Sequence, residues 1–523
     1  MTPLNQTGQQ LVQGLMHANN ADDADRQAVS RATKVNVVGA GGALTAAYEQ
    51  LRNAAENTEE HLLLQNAIRR FYKQLFIARD ESLVRTSGNE LAVELTFAGY
   101  VANDSLTKEQ VDAISRLASA HYDAYESLLG RRAPGLDKSL DWILDTLSVA
   151  VEASINSHRR ESAFIDVAYR YYETLIPASE IATDDAQKEE YGAALFAGIH
   201  KALLKSNTAV IRASLLARYS ADVSNLDAYI ALNKHIDELL KLPFTDKLYH
   251  VVDRQGAPLR VIRHMLESRD DMTELLPKRE SFLEAFEQQV NKEYMAIGQR
   301  INRAIVRSVV FLIITKFLIG IAVEVPYDLW AHGEIVWQPL LINLAFPPLY
   351  MIALRLTHTL PGYANTTALV DRVDSMLYGE RTMLVRKQLN GRRYGPVFSV
   401  IYALLSVIVF AGVMALLLML GFSLVHIAIF FVFISAASFL GFRLSRLIRE
   451  LEIVRSSSNG LTFVRDIVYL PFVLVGQWMS DKYSQVNVVT IVLDMLIELP
   501  LKTVLRLIRQ WGSFIDDRKD RIV

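Results

Sequence analysis

The sequence predicts an all-α protein: a cytosolic helical bundle, then a four-helix transmembrane region, then an amphipathic C-terminal helix. Three observations predict this. Apolar positions recur at helical spacing through most of residues 43–300, with no alternating series of the strand type. Four later segments, 304–325, 337–356, 396–421 and 424–443, each hold the roughly 20 mostly apolar residues that a bilayer-crossing helix needs. Lys and Arg also alternate across the loops between those segments, as the positive-inside rule requires.

In chain order, residues 1–42 are polar and rich in Asn, Gln, Asp and Ala, and are expected to be a flexible lead-in. No basic stretch followed by an apolar one occurs there, so no signal peptide is expected. Val35–Gly42 imitates the strand and loop of a dinucleotide fold. Leu44 stands where that fingerprint needs Gly or Ala, and Glu59 and Glu60 lie in a helical pattern, so nucleotide binding is not expected.

Residues 43–300 read as a cytosolic bundle of six to nine helices, with 177–185 as the place to divide it if it is two domains. Helical runs cover Ala46–Phe76, Leu140–Ile176, 184–219, 225–241 and 257–269. Thr107-Lys-Glu-Gln110 has the spacing of a capping box and opens another. Pro277 precedes a run with no breaker before the first span. One helix is therefore expected from about Arg279 to Val323, roughly 65 Å long at about 1.5 Å per residue.

The transmembrane domain, 301–445, follows. Arg300, Arg303 and Arg307 flank the start of the first span, and its far end and the next loop carry Glu324, Asp328 and Glu334 with no Lys or Arg. The loop 357–395 is basic, with one helix expected near 364–378. The third and fourth spans are joined by an uncharged turn, Gly421–His426, and arginines follow the fourth. The pattern predicts both termini on the cytoplasmic side of a membrane, with a bacterial inner membrane as the expected location. Trp330 and Trp337 fall where an outer aromatic belt would lie. Ala437 and Gly441, with Ala411 and Ala415, offer small faces for a tight hairpin of spans three and four.

Residues 446–523 read as an interfacial or re-entrant amphipathic region, with two further spans as a third choice. The run 467–479 holds Pro471 and is short for a span. In 486–511, Asn487, Asp494, Glu498, Lys502, Arg506 and Arg509 make a polar stripe on an apolar helix.

The candidate functional residues are few. Lys316 sits near the middle of the first span, where charge costs about 2.5–3.5 kcal/mol on insertion scales and marks a functional or pairing residue. Asn343 in the second span and the acids Asp494 and Glu498 are candidate partners. Pro347 and Pro348 interrupt the second span, a feature of transporter sites and of inert kinked helices alike. Arg386, Lys387, Arg392, Arg393, Arg506 and Arg509 are candidates for anionic head groups, alongside their plainer role as positive-inside signals.

A net charge of −2 offers no field for nucleic acid, and the absence of cysteine excludes disulfides and thiolate metal sites. No helical metal-ligand pair, phosphate loop or nucleophile elbow appears, so no metal, cofactor or catalytic residue is expected. The expected partners are the bilayer, other proteins and a second copy of the chain. The favoured reading is a non-enzymatic scaffold that organises partners at the cytoplasmic face. The alternative is an oligomeric channel or transporter that uses Lys316.

Overall fold

A computed structural model describes residues 3–37, 45–46, 49, 52–53, 59–131, 138–357, 360–379, 396–454 and 460–486. Among them every regular element is helical. The one trace of β pairing is an isolated bridge between Lys34 and Thr107.

The chain opens with a helix, α1 (Gln6–Arg31), where the sequence suggested a polar lead-in. Few apolar residues are needed to dock it: Leu11, Leu15 and Ala18 are buried, on one face at helical spacing, against α6 (Arg159–Leu175). Asn5 caps α1 by accepting the Gly8 N–H. The N-terminal body then contains α2 (Leu63–Ala78), α3 (Ser87–Phe97), α4 (Lys108–Gly130), α5 (Ser139–Ile155), α6, α7 (Asp185–Ile199), α8 (Thr208–Arg218), α9 (Leu226–Leu239), α10 (Pro243–Gln255) and α11 (Ala257–Ser268).

Thr107 and Gln110 form the reciprocal capping box at the start of α4. Two of the long runs are each divided, and so the helices outnumber the six to nine expected. Leu140–Ile176 breaks where Asn156 adopts extended backbone after α5. The run 184–219 breaks where Lys205 turns left-handed and Asn207 caps α8 through the Val210 N–H. One apolar core runs through all these helices and across 177–185, from Leu11 to Tyr294.

The rod α12 begins at Arg279, as its sequence predicts, and outlasts the expected end. Arg279–Ile319 is α-helical, Gly320–Glu324 is a π turn, and Val325–Ala331 resumes the α-helix. The 53 residues make a rod roughly 80 Å long. Its first turns bury Phe282, Phe286 and Val290 in the body, and its last third is apolar outside. With α13 (Trp337–Thr357), α15 (Pro396–Met419) and α16 (Leu424–Arg449), it is one of four helices long and apolar enough to cross a membrane.

Body and membrane bundle are interlocked. The loop after α13 holds α14 (Tyr363–Leu377), whose Leu369, Val373, Met376 and Leu377 belong to the body's own core. Asn5 reaches it as well, donating to the Met376 and Gly379 carbonyls, and Arg279 grips Asp374 with two bonds of 2.7 Å. Asn365 is the hub. Its Nδ2 donates to the Tyr294 hydroxyl and the Leu451 carbonyl, and its Oδ1 accepts the N–H groups of Ile453 and Val454. Arg260 donates to the Glu450 carbonyl and Lys205 pairs with the Glu450 side chain at 2.8 Å.

The last described helix, α17 (Gly460–Val486), takes up the short run 467–479 and carries it through Pro471. It lies antiparallel to α16. Gly476 sits so close that a Cβ there would stand 2.2 Å from the Ser435 carbonyl, and the Tyr469 hydroxyl donates to the Ser438 carbonyl. The small face of α16 therefore serves α13 and α17, with Gly441 against Leu354, and the tight hairpin expected of spans three and four is replaced. The third span, α15, touches its neighbours through Phe410, which meets Phe431 and Phe472, while Ala411 lines an open apolar groove. Only 6% of its apolar stretch is buried, so its surface is left for lipid.

Candidate functional site

In the membrane bundle the buried Lys, Glu, Asp and His side chains gather along one face of α12. Lys316 and Glu324 pair at 2.6 Å, and both are almost wholly buried, at 2% and 1%. Eight residues of regular α-helix would rotate them roughly 80° apart. The π turn between them absorbs one residue. It restores a spacing equivalent to about seven residues, which brings the two side chains onto one face. The Lys316 ammonium also stands 4.7 Å from the centre of the Phe433 ring on α16, a cation–π contact.

One turn beyond Glu324, toward the end of the bundle distal to the body, lies Asp328, with 0% exposure. Its Oδ2 accepts the Val336 N–H. Its Oδ1 has no hydrogen-bond partner and faces His426 Nε2 at 3.4 Å and His332 Nδ1 at 3.8 Å. His426 is itself buried at 1%, and its Nε2 is also unpartnered. Ser423, the cap of α16, holds His426 Nδ1 at 2.8 Å. Asn343 Nδ2 donates to the His426 carbonyl, and its Oδ1 is buried without a partner.

Ser423, His426 and Asp328 have the residue types of a hydrolytic triad with the ring reversed, the serine on Nδ1 and the carboxylate facing Nε2. The serine hydroxyl is a helix cap that already accepts the His426 N–H. Among the described residues no group of three His, Asp or Glu side chains is placed to hold a metal ion.

The polar track ends at Lys316. Toward the body the same face of α12 turns apolar. Leu312, Ile305 and Ile301 pack with Met351, Leu354, Phe433 and Ala437 as a closed cluster. From Lys316 to Ile301 is roughly 22 Å of helix. The exposed neighbour of the track, His332, stands at its distal end.

Of the residues singled out in the sequence, Lys316 and Asn343 are buried in this bundle but do not meet, since each has the partner named above. Pro347 and Pro348 are buried inside α13, which runs through both. Asp494, Glu498, Arg386, Lys387, Arg392, Arg393, Arg506 and Arg509 lie outside the described residues, as does the stripe that begins at Asn487. Sequence reasoning missed Glu324, Asp328 and His426. The first two count as loop charges once a span is closed at 20 residues, and the histidine lies in what reads as a turn. The signal that would have found the acids is their place at i+8 and i+12 from Lys316, with Gly320 the one glycine and Pro326 the one proline between Lys316 and Asp328.

A second polar centre lies in the body. Arg212, 4% exposed in its side chain, binds Asp145, Asn233 and Asp237, and Arg69 bridges Asp145 to Asp141. Every guanidinium nitrogen of Arg212 has a bond, so this network is a closed staple joining α5, α8 and α9.

Fold and site together define the class, an all-helical protein with four candidate membrane spans. Compared with known proteins, the chain matches no family model, no curated protein and no solved structure.

Proposed function

We propose that this chain is a non-enzymatic membrane protein that serves as a rigid platform, holding its N-terminal body at one face of the membrane to organise partners there. The observation that carries this reading is the interlock. Parts of the membrane region, α14 and the segment after α16, belong to the core of the body. An anchor made only to tether would need none of that. Positive-inside charge supports the cytoplasmic face of a bacterial inner membrane as the side on which the body and both termini lie. The basic clusters at Arg386–Arg393 and Arg506–Arg509 are proposed to touch anionic head groups, and exposed α15 is proposed as the face for a second copy.

A second reading, an oligomeric channel or transporter, draws on the buried track from Asp328 to Lys316. The closed apolar cluster beneath Lys316 weighs against it in a single chain.

Liposomes containing the purified protein test both. Under imposed gradients of protons, sodium, potassium or chloride, the platform reading expects no flux above empty vesicles. Flux that disappears in a folded Lys316→Met/Glu324→Leu variant would replace the platform with a transporter. The double change is needed because Lys316→Met alone strands a buried carboxylate.

A further inference from the structure

The buried charges in the membrane bundle do not balance with both carboxylates ionised. Lys316 neutralises Glu324 at 2.6 Å. Asp328, one turn on and fully buried, has no lysine or arginine within ion-pair reach among the described residues. Only two histidines face it. A buried carboxylate without a counter-charge is among the costliest arrangements a protein can hold.

Other groups around the cluster supply no charge. On α12, Tyr327 turns its ring edge toward His332 and His426. The loop before α13 offers Glu334, which is exposed, and the Val336 N–H. Neither α13 nor α15 has a titratable side chain in its distal half, and α13 gives only Asn343. The Asp481 and Lys482 side chains near the end of α17 are exposed.

We propose that Asp328 and His426 form a proton-binding site that holds one exchangeable proton. His332 connects it to water on the distal side. The proton sits on the carboxyl or makes His426 an imidazolium, and either state brings the cluster to neutrality. Three features of the geometry fit. Asp328 Oδ1 and His426 Nε2 face each other at 3.4 Å with no other hydrogen-bond partner, a short step from a shared proton. Ser423 serves the site with or without the proton, because its hydroxyl accepts from Nδ1–H when the proton is held between Oδ1 and Nε2 and donates to Nδ1 when Nε2 carries the ring's one hydrogen. His332 stands 3.8 Å from the same oxygen with its side chain 42% exposed, which gives the buried oxygen a route to solvent. The site also lies where α12 meets α16, with α13 tied in through Asn343. This inference is independent of the platform reading, which concerns the opposite end of the molecule.

The test is proton counting on the full chain in lipid nanodiscs. Acid is added stepwise over the full range in which the protein stays folded, in weak buffer with an indicator dye, beside infrared difference spectra. The wild type is expected to take up one more proton per chain than Asp328→Asn, and that variant is expected to lose a carboxyl or imidazolium band. Glu334→Gln, exposed nearby, is expected to keep the band. If Asp328→Asn does not give monodisperse protein, His426→Gln, which keeps a polar side chain, is read in its place with the same expectation. An unchanged band pattern, and a count that falls no further than in Glu334→Gln, would overturn the proposal.

Discussion

Lys316 shows what a single buried charge demands. Its ammonium is held by Glu324 on the same helix, so the pair does little to tie helices together and mainly neutralises itself. Breaking such a pair costs far more than replacing it. Lys316→Met is therefore expected to lower stability by about 3–5 kcal/mol, and the double variant with Glu324→Leu to recover most of that. Denaturation in detergent would measure both, and equal losses in the two would show that the pair is not coupled. In the body, His200 carries a prediction about pH. It is packed against Phe196 with Ser206 on Nδ1, and burial pushes its imidazole down to about 4. A histidine kept neutral in the fold binds its proton more readily when unfolded. Its contribution is complete above about 6.5 and drains away as pH falls toward 4. Between pH 7 and pH 5 that is about 2 kcal/mol, so His200→Gln is expected to show a shallower acid loss by about that amount. Equal slopes for variant and wild type would refute it.

At the scale of elements, the π turn of α12 is the feature that lets an eight-residue separation act as an ion pair. Deleting Ile321, which is 54% exposed within that turn, leaves the pair seven apart in a regular helix and is expected to change the melting temperature by only a few degrees. Inserting an alanine at the same place rotates Glu324 by roughly 100° and is expected to prevent a stable fold. A collapse on deletion, or tolerance of the insertion, would mean that the turn does not set the register. Much of the element plan was legible in the sequence because apolar stripes, the capping box at Thr107 and the lysine inside an apolar run are local signals. Three things were not. α1 docks through only a few apolar contacts, too sparse a stripe to separate from a polar tail. α12 continues past the end of its apolar run, so Glu324 and Asp328 passed for loop charges. The pairing of α16 with α17 depends on Gly476 meeting the Ser435 carbonyl, a tertiary match between residues 41 apart that no periodicity records.

For the molecule as a whole, the question is whether body and membrane bundle move as one. The contacts argue that they do. Asn365 alone makes four bonds to α12 and to the segment after α16, Arg279 grips Asp374, and the core of the body takes in α14. Asn365→Ala would leave the buried Leu451 carbonyl, and the N–H groups of half-buried Ile453 and exposed Val454, without this partner, and is expected to cost about 1–3 kcal/mol. The natural chain has no cysteine, so paired spin labels can be placed without removing any residue that matters. Labels at Glu126→Cys in the body and Leu329→Cys at the distal end of α12 would report the coupling directly. Two bodies joined by a loose linker give a broad spread of distances, and a single interlocked body gives a narrow one. The distribution is expected to be as narrow as that of a pair within the body, Glu126→Cys with Asp185→Cys. It is expected to broaden when Asn365→Ala is added, because that change loosens the hub and leaves both labelled sites untouched. A broad distribution in the otherwise unaltered chain would separate the two halves and remove the ground for the platform reading.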